Sequence, residues 1–256
     1  MSKQVALVTG SSRGIGLAAA KELAAAGFDI ALNTLQQDAE LEAAAAEVEA
    51  LGAKVFRAVF DVSQIDRHDA ILRDIEADLG PITTLVNNAG VGVLSRGDPL
   101  DVTEDSFDRC LNVNAKAMFF LTQSFAKRRL AADRNPGLSY AIVNVTSSNA
   151  TAVAEPRSEY AASKAAAAMI SKCFAARLGR EGIAVYDVQP GLIATEMTKA
   201  VIDTYQKRAE DGLCLLPRVG QPEDVGKVIA SLATNKIPYT TGQVISVDGG
   251  MLVPRF

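Results

Sequence analysis

Tyr160 and Lys164 stand four residues apart in SEYAASKAAAAMI, where the alanines favour helix, so the spacing predicts that both side chains share one face about one turn apart. A phenol is a poor acid at neutral pH, but a cation held ~6 Å away at an effective dielectric of ~20 favours the phenolate by roughly 3 kcal/mol. Such a pair can trade a proton with a reacting group; the same spacing also fits a solvated helical surface. A second feature weighs between these readings. Gly10, Gly14 and Gly16 lie between a strand ending in VTG and a helix, in the spacing G-x-x-x-G-x-G rather than G-x-G-x-x-G. Glycines there let backbone approach a pyrophosphate, and the unpaired amides of the following helix favour its charge.

The elements that must position these residues follow a regular rhythm. Seven short β-branched or apolar runs alternate with longer Ala-rich helical patterns, which is the signature of βαβ units around a parallel sheet. Strands are expected at 5–9, 29–33, 54–59, 84–87, 141–146, 183–188 and 243–247. Most are continuously apolar, as strands covered on both faces must be. Helices are expected at 14–26, 39–51, 66–79, 103–132, 159–178 and 222–233. No linker, repeat or low-complexity tract divides the 256 residues, so one domain is expected over 1–256.

Composition narrows the function. Lys plus Arg total 26 against 30 Asp plus Glu, a net charge of −4 that offers no basic field for nucleic acid. Cys110, Cys173 and Cys214 are odd in number and widely separated, so reduced thiols and no metal site are expected. His68 is the only histidine and sits in DRHDAILRDIEADLG, read as a solvated helix, which argues against a Ser-His-Asp hydrolase. The stretch MSKQVALVTG is too short before its glycine for a signal peptide, and no run approaches the length of a membrane span. A cytoplasmic location is expected.

Taken together, the motifs resemble the short-chain dehydrogenase/reductase family. Its cofactor motif TGxxxGIG matches TGSSRGIG at Thr9 to Gly16. NNAG follows at Asn87 to Gly90, then SSN beginning at Ser147, YAASK at Tyr160 to Lys164, PG at Pro190 and Gly191, and DGG at Asp248 to Gly250. The resemblance covers essentially the whole chain. It implies a Rossmann-type doubly wound parallel sheet of about seven strands with helices on both faces, and a catalytic tetrad of Asn114, Ser147, Tyr160 and Lys164. Tyr160 is then the general acid in ketone reduction and the base in the reverse direction. Lys164 lowers the barrier to losing that proton and holds the ribose hydroxyls, Ser147 hydrogen-bonds the substrate oxygen, and Asn114 holds a water that connects Lys164 to bulk protons. Asn112 competes with Asn114 for its role, and Ser148 with Ser147.

The same resemblance implies nicotinamide-cofactor contacts from Gly10, Ser12, Arg13, Gly14, Ile15 and Gly16 in the turn, and from Thr34, Asp61 and Val62 at the ends of the second and third strands. Asn87, Ala89 and Gly90 contribute from the fourth strand, Tyr160 and Lys164 from their helix, and Pro190, Gly191, Ile193 and Thr195 from the sixth strand. NAD enzymes usually carry an acidic residue at the end of strand two, where this chain has Thr34, while Arg13 could pair with a 2'-phosphate. NADP(H) is therefore expected in preference to NAD(H).

Within the family the overall pattern is most similar to 3-oxoacyl-(acyl-carrier-protein) reductases of fatty-acid synthesis, which implies an acyl-thioester substrate. Lys127, Arg128 and Arg129 offer a docking patch for an acyl carrier protein, or a plain basic helix end. A sugar, polyol or other secondary-alcohol dehydrogenase is the alternative. A nucleotide sensor without turnover is a third reading, which has no need of the proton donor. Segment 196–217 is expected to act as a substrate lid, and a homotetramer is the family expectation.

Overall fold

The apolar runs become strands because residues that are apolar at successive positions need cover on both faces of a sheet. In the computed structural model, which describes residues 3–255, the strands are β1 (Val5–Val8), β2 (Asp29–Thr34), β3 (Val55–Val59), β4 (Thr84–Asn87), β5 (Ala141–Val145), β6 (Ala184–Pro190) and β7 (Val244–Val247). They form one sheet in the order β3-β2-β1-β4-β5-β6-β7. All six pairings are parallel. The first two residues of MSKQVALVTG lie outside the described residues.

The helices are α1 (Gly14–Ala25), α2 (Ala39–Glu49), α3 (His68–Leu79), α4 (Glu104–Leu111), α5 (Met118–Ala131), α6 (Ser158–Leu178), α7 (Ile202–Arg208) and α8 (Pro222–Ala233). Side chains of a strand alternate between faces, so β1 sends Ala6 and Val8 into one apolar layer with α1, α2 and α8, and Val5 and Leu7 into the other with α3, α5 and α6. The first layer is tight: a Cβ on Gly226 of α8 would stand 2.8 Å from the Ala18 carbonyl carbon of α1. Because the chain order reverses at β1, with β2 on one side and β4 on the other, a crevice opens beyond their carboxyl ends.

Four expectations change in the folded chain. The helix expected at 103–132 is broken by a π-helical stretch, Asn112–Ala117, between α4 and α5. One extra residue per turn is accommodated there, and Asn114 is the buried residue at its centre. β7 is half exposed rather than covered, with Val244 42% accessible, because it is the edge strand and no helix among the described residues follows it.

His68 is not on a solvated face but fully buried. A 3₁₀ turn at Ile65–Arg67 delays the start of α3 and turns the imidazole inward, where Nε2 lies 2.7 Å from the Val62 carbonyl and the ring meets Phe60 edge-on. Burial pushes its pKa down.

Two of the three basic residues on α5 are also spent within the chain. Arg128 donates to Glu76 at 2.9 Å and to Asp69 at 3.0 Å, and Arg129, only 3% accessible, is bonded to Glu76 as well. α3 and α5 lie side by side in one layer, so their charges meet. Lys127 alone of the three keeps an exposed cation.

Candidate active site

The crevice at the strand ends is a cleft of ≈1730 Å³. Beneath its floor lies Thr9, the residue after β1. The Thr9 hydroxyl donates to the Val86 carbonyl and accepts from the Asn88 and Ala89 amides, both at 2.9 Å, stitching the glycine turn to the end of β4. Gly10 has φ +61°, and a Cβ there would lie 3.0 Å from the Ala89 backbone. Its amide donates to the Asn33 side chain at 3.1 Å, while Asn33 Nδ2 donates to the Ala58 and Phe60 carbonyls. The turn is thus held from β2, β3 and β4 at once.

The turn fits a pyrophosphate on its own geometry. α1 has no side-chain cap, so its first amides remain free donors, and Gly14 presents a bare Cα across from Thr195, 3.7 Å from where its Cβ would be. Ser12, Arg13 and Ile15 also line the cleft. Gly16 does not: a Cβ there would collide with the Gly10 carbonyl and lie 2.6 Å from Asn88 Nδ2, so its role is to let the turn close.

Thr34, Asp61 and Val62 line the far end of the cleft. Asp61 Oδ1 is occupied by the Ser63 amide at 2.8 Å and hydroxyl at 2.7 Å, which shapes the turn after β3. Arg13 is not free: Nη1 lies 3.4 Å from Glu40 in the first turn of α2, and Ser12 Oγ donates to the same carboxylate at 3.1 Å. Nothing in the strand-two motif announces Glu40, because the contact is made across the fold.

At the near end, Tyr160 and Lys164 lie on one face of α6 as their spacing predicts. Lys164 Nζ is 5.7 Å from the centre of the Tyr160 ring, is buried, and donates to the Val145 carbonyl at 3.1 Å. Ser147 follows β5 on the facing wall, its Oγ accepting from the Asn149 amide at 3.1 Å. Ser148 lines the cleft too.

Asn114 lies behind the wall. Its Oδ1 accepts from the Val91 amide at 2.8 Å and its Nδ2 donates to the Val91 carbonyl and to Ser163, so the side chain is committed to fixing the backbone after β4. A Cβ on Gly90 would touch both Asn114 Oδ1 at 3.2 Å and Lys164 Nζ at 3.5 Å, so Gly90 is where the two groups converge. Ala89 and Gly90 line the cleft.

Asn87 does not line it. Its Nδ2 donates to Thr122 at 2.9 Å and to Asn144 at 2.8 Å, a buried lock between β4, β5 and α5. Its neighbour Asn88 takes the cleft position and donates to the Thr9 and Gly10 carbonyls at 2.9 Å. In a strand adjacent residues point to opposite faces, so the choice within NN is a matter of register that the motif alone does not reveal.

Pro190, Gly191, Ile193 and Thr195 line the cleft after β6. The Ile193 carbonyl accepts from Thr198 at 2.7 Å, and Thr195 starts the turn Glu196–Val201. Segment 196–217 continues through α7 and brings Met197, Tyr205, Arg208 and Leu213 to the cleft. Sequence reasoning missed Asn88, Asn33 and Arg157. Arg157 lies three residues before Tyr160, with its guanidinium carbon 5.5 Å from the centre of that ring.

Known proteins resemble this chain over nearly its whole length. The family model described as enoyl-(acyl carrier protein) reductase matches residues 10–252. Gluconate 5-dehydrogenase of Gluconobacter oxydans is 35% identical over 97% of this chain and 94% of its own. The 3-oxoacyl-[acyl-carrier-protein] reductase of Staphylococcus aureus is 34% identical over 96% of this chain and 97% of its own. Among solved structures, a 3-oxoacyl-[acyl-carrier protein] reductase from Brucella melitensis in complex with NAD superposes with a TM-score of 0.96 at 37% identity, covering 100% of both chains.

Proposed function

Because this chain belongs to the short-chain dehydrogenase/reductase family and is a nicotinamide-dependent oxidoreductase, we propose that it reduces the 3-oxo group of an acyl thioester. The observation that carries this reading is the meeting of Tyr160, Lys164 and Ser147 on the walls of one cleft whose floor is an uncapped glycine turn. When bound, the nicotinamide supplies the hydride for reduction, or takes it up in oxidation.

The chain's own residues have three tasks. Tyr160 Oη gives its proton to the substrate oxygen as charge develops there, and takes it back in the alcohol-to-ketone direction. Ser147 Oγ donates a second hydrogen bond to the same oxygen, and its position is set by the Asn149 amide. Lys164, anchored to Val145, keeps a cation beside the phenol so that the phenolate left after proton transfer is stabilised. Asn114 positions Val91 and, through Gly90, the surroundings of Lys164; a water held near it would return the proton from solvent.

The cofactor reading is NADP(H) in preference to NAD(H). Thr34 places no charge at the end of β2, and Arg13 with Ser12 can turn from Glu40 to a 2'-phosphate. An acyl carrier protein remains the proposed donor of the thioester, with Lys127 the one exposed cation of its α5 trio. Cytoplasmic placement is proposed with it; no helix among the described residues is long and apolar enough to cross a membrane.

A homotetramer is proposed on the exposed β7 edge and on the exposed Phe107 of α4 and Met169 of α6, and light scattering tests it. A single domain over 1–256 with 196–217 as its lid is the accompanying proposal. A second reading, a sugar or polyol dehydrogenase, is supported by the similarity to gluconate 5-dehydrogenase. Steady-state kinetics with acetoacetyl thioesters against a panel of polyols and sugar acids tests both: turnover confined to the second group overturns the thioester assignment.

A further inference from the structure

We propose that the substrate carries an anionic group and that Arg157 is the residue that reads it; the inference rests on the hydride-transfer reading and narrows its substrate class. Arg157 Nη2 donates to Asn149 Oδ1 at 2.9 Å, and the Asn149 amide in turn donates to Ser147 Oγ at 3.1 Å. Asn149 is itself tied to the Ala152 carbonyl at 3.0 Å. One short chain of hydrogen bonds therefore fixes the guanidinium relative to Ser147, while the ring of Tyr160 lies 5.5 Å from it. The partly buried Arg128 and the buried Arg129 both find a carboxylate, that of Glu76. Arg157 has none within 4.0 Å among the described residues. A guanidinium has five N–H donors in a planar fork, and those not given to Asn149 are available to the cleft that Arg157 lines.

The surroundings have the same sign. Arg96, Arg109 and Arg208 line the same cleft, and none of them is in an ion pair among the described residues, Arg109 donating only to the Gly92 carbonyl at 2.6 Å. Three acids share those walls: Glu196, paired with Lys199 at 3.2 Å, Glu155, and Asp61, whose Oδ1 is taken by Ser63. In a chain of net charge −4 this is a local reversal, and a cleft focuses such a field onto whatever enters it. A planar fork fits a carboxylate or phosphate bidentately, so the recognised group is one of these two. A 3-oxo acid or sugar acid carries a carboxylate a few bonds from the reacting carbon; a coenzyme A thioester carries its phosphates further out.

The test compares three substrates with one 3-oxobutyryl core: the free 3-oxo acid, its coenzyme A thioester and its neutral N-acetylcysteamine thioester. In the wild-type protein, kcat/KM for at least one anionic form is expected to exceed that of the neutral thioester about tenfold or more. Arg157→Gln should lower that ratio by about tenfold, and Arg157→Lys, which keeps the charge without the fork, should fall between. A ratio lost for the free acid identifies a carboxylate, and one lost for the coenzyme A thioester alone identifies a phosphate. A wild-type ratio near one, or a ratio unmoved by both substitutions, overturns the proposal. If none of the three substrates turns over, the thioester reading fails by itself. Calorimetric titration of the cofactor-saturated protein with malonate and malonamide then decides: binding of malonate only, weakened about tenfold in Arg157→Gln, supports the proposal, and equal binding of the two, or neither binding, overturns it.

Discussion

Lys164 Nζ stands 5.7 Å from the centre of the Tyr160 ring while donating to the carbonyl of Val145, so the cation beside the phenol is held by the backbone of β5 rather than by the helix that carries it. Tyr160 Oη, by contrast, has no hydrogen-bond partner among the described residues. Tyr160→Phe should therefore leave the melting temperature and nicotinamide affinity nearly unchanged while lowering kcat by about 10²–10⁴-fold. Equal turnover by the variant would remove Tyr160 from the chemistry.

Glu40 holds both Arg13 and Ser12, the two residues proposed to receive a 2'-phosphate. Exposed pairs of this kind contribute about 0.2–1 kcal/mol. Glu40→Gln is thus expected to raise the NADPH-to-NADH ratio of kcat/KM by about two- to fivefold, and Arg13→Ala to lower it. A wild-type preference for NADH in steady-state kinetics would reverse the cofactor reading.

Asn87 is expected to act on stability rather than on binding. Asn87→Ala removes the donor to Thr122 and Asn144 and leaves the Asn144 carbonyl oxygen without that partner in a dry interior. An orphaned buried polar group costs about 1–3 kcal/mol. Urea denaturation should show a loss of that size, with Asn88→Ala instead weakening the nicotinamide cofactor. The opposite assignment of the two effects would exchange their roles.

His68 links pH to the turn that carries Asp61 and Val62. Burial places its folded pKa below the ordinary 6.5, so the unfolded chain binds the proton more readily. The stability this gives is fully present above the unfolded value and is lost as pH falls through the folded one. Asp187 works in the other sense, since burial raises its carboxyl above the ordinary 3.8 and its contribution is lost as pH rises through the folded value. Denaturation midpoints should fall as pH drops below 6.5, and more shallowly in His68→Gln than in the wild type. Parallel profiles would show that the imidazole does not govern the effect.

The order of strands and helices, the glycine turn and the Tyr160–Lys164 pair were legible in the chain because each is a local pattern: a continuous apolar run in a covered strand, period 3.6 in a helix, and glycine where backbone must come close. Motif matching could place NNAG at the end of β4 but could not say that Asn87 turns inward and Asn88 toward the cleft, since one step of register exchanges them. Nor could it find the π-helical stretch around Asn114, whose cause is the demand of Val91 and Ser163 for its amide.

Charge and polarity were the least legible. The grouping of Lys127, Arg128 and Arg129 and the charged neighbours of His68 suggested solvent, yet α3 against α5 buries Arg129 on Glu76 and a 3₁₀ turn folds His68 beneath Val62. By itself the sequence determined where most strands and helices form and which reactive residues they carry, because those follow from patterns within one segment, while the doubly wound sheet was implied by the family resemblance of the motifs. Only the tertiary structure decided which charges are spent on one another and which, like Arg157, are left facing the cleft, because a salt bridge depends on distances between segments that no single segment encodes.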